Sequence, residues 1–230
     1  MIRRIFFWLS VGFLFLLFEG AFLFRLEAII FVFTLLFGVA ALARRREPLE
    51  NRIVLSLIPL IGFFVLAWAR SFFAQGAILV LLWSYIELYR KEKTAWREPA
   101  LLALLFLLCA NFFVFRGALP ASYGISFFLT ALAGFAIVSL HIHTAFPERE
   151  EKKFLSLLLS ALLAEWLLVM QFLPQGYLSL ALASLVFYLT ALHWLRKRNA
   201  TLLPKRIALE LGASAALILL ILLSGGIRPR

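Results

Sequence analysis

Nine long apolar runs set the terms on which this chain can fold. They cover 5–18, 21–43, 53–69, 72–89, 100–115, 123–146, 154–173, 177–194 and 207–223. A helix crossing the hydrocarbon of a bilayer needs about 20 mostly apolar residues. Backbone groups at that depth must be paired inside a helix or a closed barrel. A barrel shows alternating apolar and polar residues in segments of about ten, whereas Leu101 to Leu108 is apolar at every position. Of the 230 residues, 64% are apolar and 15% charged; soluble domains carry roughly 45–50% and about 25%. One core cannot hide that excess, because a domain of this size still has a large wet surface. The reading is an all-α, polytopic transmembrane helix bundle of about nine spans, a single integral membrane domain over 1–230. Soluble-enzyme and disulfide-stapled classes are excluded, the latter because Cys109 is the one cysteine.

The first two runs are separate spans on energetic grounds. One helix over 5–43 would carry Glu19, Arg25 and Glu27 near its middle, each charge costing roughly 2.5–3.5 kcal/mol on insertion scales. Arg3 and Arg4 ahead of an apolar stretch also resemble a secretory signal, but no small-x-small cleavage site follows. An uncleaved signal anchor is expected.

Lys and Arg in short loops mark the cytoplasmic side. With nine spans, one set of ends holds residues 1–4, 44–52, 90–99, 147–153 and 195–206, with 18 of the 23 Lys and Arg. The other set holds five: Arg25, Arg70, Arg116, Arg228 and Arg230. The expected topology is N-terminus in and C-terminus out, in a cell (cytoplasmic) membrane of bacterial type. The net charge of +11 is then a topology signal that also attracts anionic lipid headgroups at the cytoplasmic face. No basic segment is long enough for a nucleic-acid-binding module. Trp68, Tyr123 and Tyr177 fall at predicted outer boundaries and Tyr89, Trp96 and Trp194 at inner ones, the depth that suits amphipathic rings.

Arg25, Arg70 and Arg116 recur at intervals of 45 and 46, as do Glu165 and Glu210 at 45. Repeated two-helix units would produce this, and so would the plain length of two spans with their connections.

Ionisable groups inside a membrane are costly and are functional candidates by default. Glu165 lies about eight residues from the outer end of its run, too deep for its side chain to reach water. It reads either as a proton or cation site or catalytic carboxyl, or as a neutral carboxyl bonded to a neighbouring helix. Asn111 is placed to bond a neighbouring helix. Pro59, mid-span, frees a carbonyl and is expected to kink its helix, a feature also found along transport paths. Glu87 with Lys91, and Glu210 with Arg206, are spaced for surface ion pairs one helical turn apart. His141 and His143 point about 200° apart on a helix and cannot share one metal ion while it stays helical.

The chemistry that would mark an enzyme is missing. There is no H-E-x-x-H and no Gly-rich phosphate loop, and Asp is absent altogether. Tyr123 to Ser126 is not a nucleophile elbow, and no span carries a voltage-sensor Arg series. No catalytic residue, metal or cofactor is assigned.

The Leu/Phe-rich spans, the stretch from Glu165 and Trp166 through Phe172, Leu173, Pro174, Gln175, Gly176 to Tyr177, and Tyr188 beyond it make the chain similar to the uncharacterised multi-pass membrane protein families, labelled as domains of unknown function, of candidate-phylum bacteria. That resemblance implies no activity. The expected role is a non-enzymatic structural, interaction or accessory subunit with a membrane-protein partner. Its small-residue stripe, Ala131 to Gly134, should then be exposed. The alternatives are a small secondary transporter or lipid translocator with Glu165 as coupling carboxyl, and an intramembrane lipid-modifying enzyme pairing Glu165 with a histidine.

Overall fold

The computed structural model describes residue 12 and residues 49–68, 72–89, 96–118, 123–146, 151–173, 175–197 and 204–224. These form seven helices: α1 Leu49–Trp68, α2 Phe72–Tyr89, α3 Arg97–Ala118, α4 Tyr123–Ala145, α5 Lys152–Met170, α6 Tyr177–Lys197 and α7 Pro204–Ser224. The runs 5–18 and 21–43, with Glu19, Arg25 and Glu27, lie outside the described residues. Among the described residues the seven helices correspond to the seven apolar runs from 53–69 to 207–223. Four of them contain stretches long and apolar enough to cross a membrane: Arg97–Val114, Phe127–Ala145, Lys152–Met170 and Tyr177–Leu195.

Each helix follows its apolar run and stops where the chemistry changes. In α3, Pro99 sits in the first turn beside Glu98, where a missing N–H costs nothing and a carboxylate suits the positive end of the dipole. Helix α7 opens on Pro204 for the same reason. Helix α5 ends at Met170, and the Gln171 N–H closes its last turn on Leu167 O. Helix α1 continues through Pro59, which is buried.

Helix α3 is the centre, packing against α1, α2, α4 and α6; α5 lies on α4 and α6, and α7 joins through α6. The core is apolar, with Leu101, Leu104, Leu105, Cys109 and Ala110 of α3 shut in by Ile58, Leu81, Ile137 and Leu180 among others. The outside is apolar as well: Leu209 is 75% exposed and Phe172 73%, with Phe128, Leu157, Leu220 and Leu223 similarly bare. Water would not tolerate such a surface over so much of a monomer, but lipid does. The chain is a membrane protein.

Candidate functional site

Several buried polar side chains gather at one end of the bundle. Asn51, in the first turns of α1, reaches the other two helices that end there. Its Nδ2 donates to Leu88 O of α2 at 3.3 Å, and its Oδ1 accepts from Arg97 Nη2 of α3 at 3.3 Å. Ser84 of α2 donates to Ala100 O of α3 at 3.3 Å. Glu87, one residue before Leu88, is only 4% exposed. Glu87 is therefore buried rather than at the surface as expected, because packing of α2 turns it inward; its expected partner Lys91 lies outside the described residues. Trp83 and Trp96 meet edge to face at 6.3 Å at this end, and Trp96 is exposed, as befits an interfacial ring.

A second polar contact joins α4 to α6. His141 Nδ1 and the Tyr188 hydroxyl share a hydrogen bond of 2.8 Å, with both residues buried. His143 turns away and bonds the Ser139 carbonyl of its own helix at 2.7 Å. Asn111 of α3 donates to Ile61 O of α1 at 3.3 Å, two residues beyond Pro59. The hydroxyls of Thr144, Ser156, Ser160, Ser184 and Thr190 all donate to carbonyls one turn back, which is how such residues settle in apolar helices. Each is already occupied and none is presented as a nucleophile. Among the described residues no group of three His, Cys, Asp or Glu could hold a metal. The arrangement fastens helices together.

Glu165 stands apart from these contacts. Helix α5 buries Leu155, Leu159, Leu163, Leu167 and Met170 on one side. Glu165 lies two residues from Leu163, on the opposite side, and is exposed. The structure brings it together with neither the Asn51 cluster nor His141. Glu210 meets His193 of α6, with Oε2 3.4 Å from Nε2; Arg206, the expected partner, has no described side chain.

One expectation about a partner surface changes in part. Ala133 and Gly134 are buried, and the Cβ position of Gly134 faces Leu108 Cδ2 of α3 at 3.8 Å. These two small residues thus let α4 close on α3, while Leu132, between Ala131 and Ala133, stays exposed. Outside, an apolar cavity of about 530 Å³ opens between α5, α6 and α7, with Trp166 and Phe187 stacked flat in its wall at 4.3 Å and 5°.

No family model, curated protein or solved structure matches the chain. Its function has to be read from geometry.

The sequence marks Asn111 and Glu165 as polar sites, passes over Asn51, and singles out Tyr188 only for the resemblance, not for a contact. Asn51 sits in a basic connection just ahead of the apolar run, and Tyr188 is one aromatic among many. The signal available for Asn51 was its position, one short polar residue at the mouth of a span.

Proposed function

We propose that the protein is a non-enzymatic accessory subunit of a larger assembly in a bacterial-type cytoplasmic membrane. In this reading it crosses nine times, N-terminus in and C-terminus out, as the Lys and Arg asymmetry of its loops supports.

One observation carries the role. Phe154, Leu158, Ala161, Glu165, Val169 and Phe172 are all exposed. Their intervals are four, three, four, four and three residues, the spacing of a helix seam that receives a second helix. Glu165 lies inside that seam and makes no hydrogen bond or ion pair with the described residues. A carboxyl left bare in hydrocarbon is expensive, and such groups pair with a polar or cationic partner. The partner that fits is a transmembrane helix with a hydrogen-bond donor or a basic side chain at matching depth, and Ala161 gives it room to approach one turn away.

A transporter or lipid translocator coupled through Glu165, and an enzyme pairing Glu165 with a histidine, both need that carboxyl in a shared polar pocket. The outward seam supports association instead.

Photo-crosslinkers placed at 161 and at 169 in native membranes should each give a discrete adduct with a second protein. A crosslinker at 163, on the buried side, should not. Glu165→Ala should reduce adduct yield roughly tenfold, in keeping with an intramembrane hydrogen bond of about 1–2 kcal/mol, and Glu165→Gln should retain most of it. An adduct confined to the chain itself, or one indifferent to Glu165→Ala, would contradict the reading. So would solute flux by the purified chain alone in liposomes that Glu165→Gln abolishes.

A further inference from the structure

We propose that the groove between α5, α6 and α7 seats the partner helix that pairs with Glu165, so that two helices of this chain, α5 and α7, hold the partner over the floor of α6. The seat rests on the reading of Glu165 given above and adds a second wall to it. Helices α5 and α7 both pack on α6 and leave an apolar groove of about 530 Å³ between them. One side of it is fixed, because Trp166 of α5 lies flat on Phe187 of α6 at 4.3 Å. Thr190 in its floor turns its hydroxyl to Val186 O at 2.8 Å, leaving a methyl to face the space.

The groove is continuous with the seam that carries Glu165. Leu162 lines the groove and is exposed; three residues before Glu165, it stands about 60° around the helix from it. Leu158, Leu162, Glu165 and Val169 are all exposed, at intervals of four, three and four. A helix lying along them therefore borders the groove as well. On the opposite wall Leu211, Ala215 and Leu219 line the groove and are exposed. They stand one turn apart in a single stripe about 12 Å long.

Two contacts set the depth. Trp166 is level with Phe187, and His193 of α6 is level with Glu210 of α7, at 3.4 Å. From His193 to Phe187 is six residues. Helix α7 turns back along α6, so six residues on from Glu210 is Ala216. Ala215 on one wall thus faces the level of Glu165 on the other, and Ala161 lies one turn from Glu165 on α5. Small side chains let helices approach closely, here at the depth where a donor or basic side chain has to reach the carboxyl. An acyl chain would fill the same space and offer Glu165 nothing to bond.

Photo-crosslinkers in the full chain in native membranes test this seat. Positions 215 and 219 lie in the groove, and Leu217 is exposed about 200° around α7 from Ala215. Crosslinkers at 215 and 219 should give adducts of the same mass as those from 161 and 169, and one at 217 should not. Crosslinkers at 161 and 219 together should join the chain to one partner molecule, not two. Glu165→Ala should lower the yield at 219 roughly tenfold, as at 161. Ala215→Phe, which overfills the groove, should lower the yield at 169 by about the same factor, while Leu217→Phe leaves it unchanged. Should Ala215→Phe fail to insert, the contrast between 219 and 217 in the otherwise native chain decides. Adducts at 161 and 169 with only lipid captured at 219 overturn the two-walled seat and leave the Glu165 partner standing. So does an adduct at 219 that is indifferent to Glu165→Ala. No adduct at 161, 169 or 219 removes both.

Discussion

Tyr188→Ala is expected to cost about 3–5 kcal/mol, the range for emptying a large aromatic site in a packed interior, and to lower the thermal unfolding midpoint in mild detergent more than any other single truncation. Tyr188 is 1% exposed and stands between α6 and the His141 side of α4. Two losses add in this variant: the ring's packing and the hydroxyl's bond to His141. Their sizes decide which dominates. Hydrogen bonds between transmembrane helices average about 0.6 kcal/mol and reach about 1.7, because helices separated in lipid still find other partners. Tyr188→Phe, which keeps the ring, should therefore cost about 1 kcal/mol and leave the fold intact. Adding His141→Leu to Tyr188→Phe should restore part of that loss, since removing both polar partners leaves no orphan. Equal destabilisation by Tyr188→Phe and Tyr188→Ala would show that the bond, and not the packing, joins α4 to α6.

Asn51→Leu is the next largest. It removes both the donor to Leu88 O and the acceptor for Arg97 Nη2, so α1, α2 and α3 lose their common tie at one end. Hydrogen bonds to a charged group contribute about 1.5–3 kcal/mol, and the loss should fall in that range. Asn51→Asp keeps an acceptor opposite the guanidinium and loses only the donor, so it should retain more of the stability. Chemical unfolding monitored by helical circular dichroism would rank the three proteins. Indifference to Asn51→Leu would mean that Arg97 is held by other contacts and that the cluster does not tie these helices.

The helices were legible because hydrocarbon allows few alternatives. The apolar run 72–89 coincides with α2, and 123–146 with α4 to within one residue. Where runs and helices differ, the cause is local. Helix α6 continues past the run ending at 194 to Lys197, since cations suit a helix C-terminus. Helix α3 begins at Arg97, ahead of the run at 100, because Glu98 and Pro99 suit a first turn. Hydropathy marks where apolar side chains end, not where backbone bonding does.

The polar contacts were less legible. Asn111 and Glu165 stood out because each is polar inside an apolar run. The bond between Arg97 and Asn51 spans 46 positions and that between His141 and Tyr188 spans 47. Both depend on how helices rotate against each other, which spacing along one helix does not encode. The same ignorance of rotation put Glu87 at the surface and Ala133 and Gly134 on a free face. All three are buried, because α2 and α4 each have two apolar faces and the sequence does not say which one meets α3.

The measurement that bears most directly on the account is sidedness across α6. In a Cys109→Ala background, single cysteines introduced as Gln175→Cys and Arg198→Cys sit just before and just after this helix. A membrane-impermeant maleimide applied to intact cells should label the first at once and the second only after the membrane is opened. If both react from the same side, α6 does not cross the bilayer, and the arrangement of the chain in lipid described here is wrong.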